Sequence, residues 1–499
     1  MKRKLLPGLV LLAAFSACSP HDNPYSNENA STFTEISSTD LGEAGAAEIS
    51  AYDPLTKKLF VVTNSGSATR IDVIDLSNPS LPVITNNPID ISPFGGGVNS
   101  VSVFEGKLAA AIEATPKTNP GKVVVFKTTD HSVVKEITVG ALPDMITYTY
   151  DGKYILTANE GEPADDYAAD PAGTVSIISV RDNYAVSTID FSGFASQQAA
   201  LETKGFRIFG PNTGFAANIE PEYLTISSDS RTAWVTLQEN NAIAKIDIRS
   251  KCITHIFPLG FKNYDLDING VDPSDRDSKI EFRKIPVKGM FQPDGIAVYE
   301  KWGKPYLFSA NEGDVREWTA FAENKRVKDL ALDPTAFPDA ATLKLDPNIG
   351  RLNVTSTLGN TDGDTDYDAL YSFGARSFSV WNGFNGQLVF DSENELEEKA
   401  LAAVKYDDAR SDDKGVEPEG ITLGYIGNRV IAFVGMERAD LVALYDVTDP
   451  QHPVFIKSLP TGDAPEGLLF IPAKYSPSNK SLLVVSSEGD GTVKVYQTN

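Results

Sequence analysis

Two stretches of the chain carry nearly the same acidic phrase. One reads TANEGEPADDY (Thr157–Tyr167) and the other reads SANEGDVREW (Ser309–Trp318). Each places a glutamate, Glu160 or Glu312, directly after an asparagine, and Asp314 follows closely in the second. Carboxylates are ligands for hard cations such as Ca²⁺, which prefer oxygen donors. The phrase therefore predicts metal ligands at Glu160, Glu312 and Asp314, unless the repetition is structural and the acids are incidental.

The acidic phrase closes a hairpin that recurs along the chain. A hairpin with arms of equal length returns its end beside its start, so acids at both ends should lie together. If all hairpins share one orientation, these side chains gather on one face near a central channel. The alternative is that turn N–H groups bind each acid locally. The expected pairs are Asp144 with Glu160, Glu222 with Glu239, Asp294 with Glu312, Glu419 with Glu437, Glu466 with Glu488, Glu48 with Asn64, and Asn99 with Glu113.

Two further acidic segments resemble the beginning of a calcium-binding loop. DLDINGVDPSDRD places Asp265, Asp267 and Asn269 at alternate positions, but Arg276 stands where the closing glutamate belongs. NTDGDTDYDAL also lacks the closing glutamate, and it is the better Ca²⁺ candidate because it holds more carboxylates. The alternative for both segments is a solvated acidic loop. The alternating acids of the second segment are Asp362, Asp364, Asp366 and Asp368.

Basic residues stand close to these acids in the sequence. Arg376, Arg410 and Lys414 are the candidates for an anion-binding group, and Arg316 and Arg438 directly follow acidic phrases. Acids that hold a metal beside arginine and lysine could bind a phosphate ester and hydrolyse it. The alternative is plain ion pairing among these residues.

Several kinds of catalytic machinery are missing from the sequence. The chain has 4 His and none in a zinc-hydrolase spacing, and it has no nucleophile elbow, P-loop or dinucleotide-binding fingerprint. We therefore expect no nucleotide or redox cofactor. Whether the protein is an enzyme stays open; a metal-dependent phosphoric ester hydrolase is the alternative to a binding protein.

The composition limits the partners. The chain has 499 residues with 44 Lys+Arg against 68 Asp+Glu, a formal net charge of -24. Such a surface repels nucleic acid and favours cations or basic partners. We expect a monomer with an unknown surface ligand or protein partner.

The first residues have the pattern of a bacterial lipoprotein signal. MKRK is basic, LLPGLVLLAAF is apolar, and Phe15 to Cys18 form a lipobox. This predicts a signal peptide at 1–17, lipidation of Cys18, and a flexible tether at 18–33, with anchoring at the outer membrane or cell surface. An ordinary secretory signal is the alternative. Cys252 would then be alone in the mature chain, which precludes an intramolecular disulfide.

The rest of the chain repeats one unit of short strands. Each unit has three or four strands rich in Val, Ile, Thr and Tyr, separated by Gly, Asp and Asn turns. We count seven units, with insertions at Arg181–Asn218, Lys251–Met290 and Val315–Ser372. Phe373–Asp391 is interpreted as the return of the fifth unit. Such units are typical of propeller blades, which predicts an all-β fold, a seven-bladed β-propeller over 34–499. The rival is two separate β domains.

These residues also resemble a known family. LFVVTNSGSATRIDVIDL looks like a YVTN-type propeller repeat. ANEGEPADDY, DPSDRDSKI, QPDGIAVYE, YSFGARSFSVW, RSDDKGVEPEGI and APEGLLFIP, in this order, resemble the choice-of-anchor I domain family. That group includes mesenchyme-specific cell-surface glycoproteins and bacterial proteins labelled alkaline-phosphatase-like. The resemblance implies a secreted or surface-anchored propeller.

Overall fold

The structure is a computed structural model that describes residues 27–499 apart from positions 43, 67 and 213. The predicted signal peptide at 1–17, the lipidation site Cys18 and most of the predicted tether lie outside the described residues. Within the described part, no helix has the length and apolar character needed to cross a membrane.

Seven antiparallel sheets, numbered here in chain order, make up most of the described chain. The innermost strand of each sheet contacts that of the next, and the innermost strand of sheet 7 contacts that of sheet 1. The sheets therefore form a closed ring around a central channel, the arrangement of a propeller.

Sheets 1 to 4 each open with their innermost strand and run outward along the chain. Sheet 1 ends in two short strands that both pair with its third strand. From inside outward, the strands are Ser50–Asp53, Lys58–Ser65, Ala68–Asp75, Val83–Ile84 and Ile89–Asp90; Val98–Phe104, Lys107–Ile112, Pro120–Lys127 and Val133–Ala141; Pro143–Tyr148, Tyr154–Asn159, Thr174–Ser179 and Ala185–Asp190; and Pro221–Ile226, Thr232–Leu237, Ala242–Asp247 and Cys252–Pro258.

Sheet 7 is completed by the start of the described chain. Its outermost strand, Thr34–Asp40, pairs antiparallel with Thr492–Gln497 and so joins the two ends of the ring. The strands of sheets 5 to 7 are Ile296–Lys301, Lys304–Ala310, Phe378–Asn382 and Leu388–Asp391; Pro418–Ile426, Arg429–Met436, Leu441–Asp446 and Val454–Pro460; and Pro465–Ile471, Leu482–Ser487, Thr492–Gln497 and Thr34–Asp40.

Each pair of neighbouring sheets encloses its own hydrophobic core. The core between sheets 3 and 4 contains Leu156, Val175 and Val235, and equivalent clusters lie at the other contacts, including the one between sheets 7 and 1. The second strands are buried on both faces, as in Tyr154–Asn159. This explains why the sequence shows continuous apolar runs in these strands. Strands with one buried face show alternating apolar and polar residues instead.

The insertions form structure outside the ring. Phe378–Asn382 pairs with Lys304–Ala310, which confirms the interpretation that the fifth unit resumes after a long insertion. The inserted segments form a two-stranded sheet, Glu317–Trp318 with Phe321–Ala322, and a larger sheet. The larger sheet contains Phe261–Asn263, Lys288–Met290, Tyr371–Ser372, Asn353–Thr355 and Asn324–Arg326. The helices are Gln198–Glu202, Ala340–Leu343 and Glu395–Ala402, with 3-10 turns at Ala30–Thr32, Ser192–Gln197, Asp267–Asn269, Val327–Asp329, Asp408–Arg410 and Glu437–Ala439.

The last part of the predicted tether differs from a flexible linker. Phe33 is fully buried and packs edge-on against Phe433. Glu28 accepts hydrogen bonds from the backbone and hydroxyl of Ser481. Residues 28–33 are therefore held against sheets 6 and 7 because an aromatic side chain and a carboxylate find partners there.

Candidate functional site

Five carboxylates from five successive sheets line one cavity of about 110 Å³ on the ring axis. We call them the channel ring. Each stands directly after a proline. In four of the five sheets that proline begins the innermost strand, where the missing N–H of proline costs no ladder bond; the innermost strand of sheet 5 begins at Ile296, two residues after Asp294. Asn99 of sheet 2 also lines the cavity, and no lysine or arginine is among its described lining residues. The ring residues are Asp144, Glu222, Asp294, Glu419 and Glu466.

A repeated backbone turn leads into the channel ring. Four residues, each two positions before a ring acid, have left-handed backbone conformations with φ between 42 and 52°. None of them is glycine, so the turn carries a small conformational cost at the same place in four sheets. The residues are Leu142, Gln292, Glu417 and Ala464.

A second tier of acids lies next to the channel ring, where the second strands end. The backbone N–H of Glu160 donates to Leu142 at 2.8 Å, and that of Glu488 donates to Ala464 at 2.9 Å. Glu437 donates in the same way to Glu417 at 3.0 Å. Each hairpin thus returns to the edge at which it began. The acid that follows its second strand therefore lies near the ring acid of its first strand.

Each residue of the repeated NEG phrase has its own contacts. The Asn159 amide donates to Thr174 at 3.1 Å and Ser176 at 3.0 Å, and the Asn311 amide donates to Ser377 and Ser379 at 3.2 and 2.8 Å. These bonds tie the second strand to the third. The glycines that follow have φ of 75° and 87°, and a side chain at either one would strike neighbouring backbone. The glutamate between the asparagine and the glycine, Glu160 or Glu312, lies close to two other carboxylates in each case.

Burial and mutual repulsion raise the pKa values of the channel acids. Burial raises the pKa of Asp144 to about 7, with Glu162 and Glu113 adding to the shift. The pKa of Glu48, in sheet 1, rises to about 8 for the same reason and because Glu488 is near. Burial also raises the pKa values of Glu222, Asp294, Glu419 and Glu466 well above the usual range. Such a group of acids favours either protons or a bound cation.

Some of these carboxylates have oxygen atoms without a hydrogen-bond partner. Buried Oε2 atoms of Glu222 and Glu419 accept no bond from the described residues. Glu48, by contrast, accepts from the Asn64 amide at 2.9 Å, and Asn99 donates to the Pro143 carbonyl at 3.2 Å. The ring therefore contains acceptors that are available to an ion or to water.

Three acids beside the channel ring form a first triad: Glu160 and Glu239 of the second tier, and Glu220, which precedes the innermost strand of sheet 4. One carboxylate oxygen of each lies within 4.8 Å of the others. The three residues are 8%, 3% and 2% exposed. Of the three acids, Glu220 is the one that pairs with Arg316, whose Nε donates to it at 3.0 Å. Burial raises the pKa of Glu220 to about 7, partly offset by Arg316, and burial raises the pKa values of Glu160 and Glu239 well above the usual range.

Three other acids form a second triad, Glu312, Glu417 and Glu437, under the same distance limit. Lys414 lies 2.6 Å from Glu312 and 3.1 Å from Glu417. Arg410 Nε donates to Glu417 at 2.9 Å. A third base, Arg438, lies 2.9 Å from Glu437. Burial and nearby Glu312 raise the pKa of Glu437 to about 7. Three basic side chains thus compensate three acids.

The remaining predicted acids near the channel lie at its margins. Burial raises the pKa of Asp314 to about 6, and its backbone carbonyl accepts from Gln292 at 2.7 Å. Burial also raises the pKa of Glu113. Glu488 is exposed at the mouth.

The two acidic loops lie away from the channel. Asp267 and Asn269 form a 3-10 turn after Asp265, and the Asn269 amide donates to the Asn263 carbonyl at 2.8 Å. None of the three belongs to a metal-capable group of the described residues. In the other loop, Asp366 and Asp368 come within 4.8 Å of Asp333, which the sequence patterns did not identify. Asp362 and Asp364 instead accept backbone N–H groups two residues ahead, at 3.2 and 2.8 Å.

The three predicted anion-binding residues all contact carboxylates. Arg376 is 2% exposed, lies 3.2 Å from Glu397, and donates to the carbonyls of Ser411 and Asp413. Arg410 and Lys414 pair with acids of the second triad. Their placement agrees with the ion-pairing alternative and gives the phosphate-ester hydrolase no support.

Sequence reasoning missed Glu220 and Glu417, which complete the two triads. Both begin the same tripeptide, Glu-Pro-Glu, at Glu220–Glu222 and Glu417–Glu419. The repetition of this tripeptide at the start of two units was the available signal.

Comparison with known proteins places these features in a family. The model of the choice-of-anchor I domain matches residues 48–450. Gigasin-3a of Magallana gigas is 29% identical over 189 residues, covering 31% of this chain and 66% of the relative. The mesenchyme-specific cell surface glycoprotein of Strongylocentrotus purpuratus is 24% identical over 320 residues, covering 53% of this chain and 41% of the relative. The chain thus spans less than two thirds of the length of each.

A solved structure supports the fold. The WD40 repeats of RRP9 superpose with a TM-score of 0.50 at 8% identity, covering 95% of this chain and 99% of theirs. WD40 repeats form β-propellers. The prediction of an all-β propeller is confirmed.

Proposed function

Because the chain belongs to the choice-of-anchor I domain family, we propose that it is a cell-surface β-propeller that binds a divalent cation in its acidic channel. Ca²⁺ is preferred over Mg²⁺, since Ca²⁺ accepts six to eight oxygen ligands in flexible geometry. The name of the relative from Strongylocentrotus purpuratus, a mesenchyme-specific cell surface glycoprotein, supports a location at the cell surface.

One observation carries the proposal. Five carboxylates face a cavity of about 110 Å³ that no described lysine or arginine lines. Buried ionised carboxylates without compensating charge are costly, so the site favours protonation or a cation. The volume leaves room for a cation that retains part of its water.

The cation stabilises the inner end of five sheets and leaves the rim for a ligand or partner. We further propose that Cys18 carries a lipid that fixes the propeller to the bacterial cell envelope. A basic or metal-bridged ligand suits the net charge of -24. Nucleic acid does not, because its phosphates would be repelled.

Equilibrium dialysis of Ca²⁺ tests the channel assignment. EDTA-stripped wild-type protein should retain Ca²⁺, and Glu419→Gln should bind it at least about tenfold more weakly because a ligand is lost. Glu136→Gln is the matched control, an exposed acid on an outer strand, 3.5 Å from Lys122. Unchanged binding in Glu419→Gln would show that the channel ring does not hold the ion.

A further inference from the structure

The two triads occupy equivalent places in the ring. Glu160 and Glu312 follow the second strands of sheets 3 and 5, which end at Asn159 and Ala310. Glu437 directly follows the second strand of sheet 6, and Glu239 stands one residue further from that of sheet 4, after Gln238. Each third member stands two residues before a channel-ring acid, as the first residue of a Glu-Pro-Glu tripeptide. The fold therefore builds two corresponding groups of three carboxylates, with Glu239 offset by one residue from the position of Glu437.

The second triad contains its own cation. The Lys414 ammonium contacts Glu312 and Glu417 at 2.6 and 3.1 Å, and the whole residue is 9% exposed. An arginine, Arg410, binds the Glu417 carboxylate beside it. With Arg438 on Glu437, each acid of the second triad has a basic partner.

The first triad has the equivalent arginine but no described counterpart of Lys414. Arg316 binds Glu220 from outside the triad, and its other nitrogens donate to the carbonyls of Phe209 and Asn218 at 3.1 and 3.0 Å. A second buried arginine, Arg207, donates to the backbone carbonyl of Glu239 and pairs with Glu323. Its charge is therefore already matched.

A separate observation points to a ligand inside the first triad. Glu239 is 2% exposed, and its Oε2 has no hydrogen-bond partner among the described residues. A buried carboxylate oxygen is rarely left without a partner, because the loss of hydration is costly. Its neighbours in the triad are acids that can only accept when ionised.

We propose that Glu160, Glu220 and Glu239 bind one Ca²⁺ at the place equivalent to the Lys414 ammonium. Three carboxylates and Arg316 carry a formal charge of about −2 when ionised, which one divalent cation neutralises. Two oxygens that bind one Ca²⁺ at about 2.4 Å lie no more than about 4.8 Å apart, and the three carboxylate oxygens meet this condition. This ion is distinct from the channel cation, since none of the three glutamates lines the channel cavity.

Calorimetric titration of Ca²⁺ into EDTA-stripped protein tests the proposal through the number of ions bound. Glu239→Gln keeps the shape of the side chain and should lose one equivalent relative to wild type. Glu437→Gln, the corresponding member of the second triad, should keep that equivalent. Full stoichiometry and affinity in Glu239→Gln would overturn the proposal, as would an equal loss in Glu437→Gln.

A second variant and a channel variant complete the test. Circular dichroism shows whether Glu239→Gln folds. If it does not, Glu160→Gln, on another sheet, takes its place and should lose the same equivalent of Ca²⁺. Glu419→Gln should lose a different ion, the one assigned to the channel. If Glu419→Gln retains every ion while Glu239→Gln loses one, the triad assignment stands and the channel assignment fails.

Discussion

The ammonium nitrogen of Lys414 lies 2.6 Å from Oε1 of Glu312, across 102 residues of sequence. The contact joins the segment before sheet 6 to the end of the second strand of sheet 5. It also shows how this fold treats a group of buried carboxylates, by placing a compact cation between them. The channel ring and the first triad present the same electrostatic problem with fewer basic side chains.

Removal of the Lys414 ammonium should be costly. Lys414→Met leaves Glu312 and Glu417 facing each other without their shared cation, and we expect a loss of about 3 kcal/mol in the free energy of unfolding. Urea denaturation with EDTA measures it. Lys405→Met, which removes an exposed pair with Asp440 at 2.9 Å, should cost less than about 1 kcal/mol. Equal effects of the two variants would contradict the role given to Lys414.

The metal-free protein should become less stable as the pH rises. A carboxyl group with a higher pKa in the folded state stabilises the fold below its unfolded pKa, and this contribution disappears as the pH passes the folded value. The folded values are about 8 for Glu48 and about 7 for Asp144 and Glu220. Urea midpoints in EDTA should therefore fall between about pH 5 and pH 8. A midpoint that rises over this interval would contradict the assignment.

Neutralising one ring acid should separate stability from cation binding. Glu466→Gln removes a buried charge that repels Glu48 and Glu488, so the metal-free variant should unfold at higher urea than wild type at pH 8. Its Ca²⁺ affinity should fall at least about tenfold. Glu35→Gln, an exposed acid on the outermost strand of the same sheet, 3.1 Å from Lys494, should change the free energy of unfolding by less than about 1 kcal/mol. Lower stability of metal-free Glu466→Gln would show that the carboxylate is already compensated.

Arg316 should be required for the fold around the first triad. Its guanidinium binds Glu220 and two carbonyls, and it lies 4.3 Å from the centre of the Phe209 ring. Arg316→Met leaves a buried acid unpaired, so we expect a loss of about 3–5 kcal/mol in urea denaturation. Arg231→Met is the control, because that side chain is 80% exposed and lies 3.7 Å from Asp229. A loss below 1 kcal/mol for Arg316→Met, or the same loss for both, would contradict this role.

Much of the ring could be predicted because its determinants are local. Alternating apolar and polar residues, turn residues and the recurring proline–acid dipeptide define the innermost strands. Hairpin arms of equal length then place Glu160 near Asp144 and Glu437 near Glu419. The NEG phrase was predictable as a strand end. Its asparagine was not recognised as the link to the third strand, because the partners Ser377 and Ser379 follow a long insertion.

The charge balance of the site could not be predicted from local sequence. Arg316 and Arg410 look alike beside acidic phrases, yet one contacts Glu220 and the other Glu417, with different additional cations nearby. Arg376 looked equivalent to both but is buried against Glu397. These outcomes depend on how the insertions fold over the ring, and spacing along the chain carries no information about that.

The most direct test of the central claim, that the channel carboxylates hold a divalent cation, is the urea unfolding of wild-type protein at pH 8 in EDTA and in excess Ca²⁺. A ligand present at one hundred times its dissociation constant stabilises the folded state by about 2.7 kcal/mol per site. We therefore predict that Ca²⁺ clearly raises the urea midpoint of the wild-type protein. In Glu419→Gln this increase should be smaller, because the channel ion is lost. Superimposable wild-type curves in EDTA and Ca²⁺ would contradict the account.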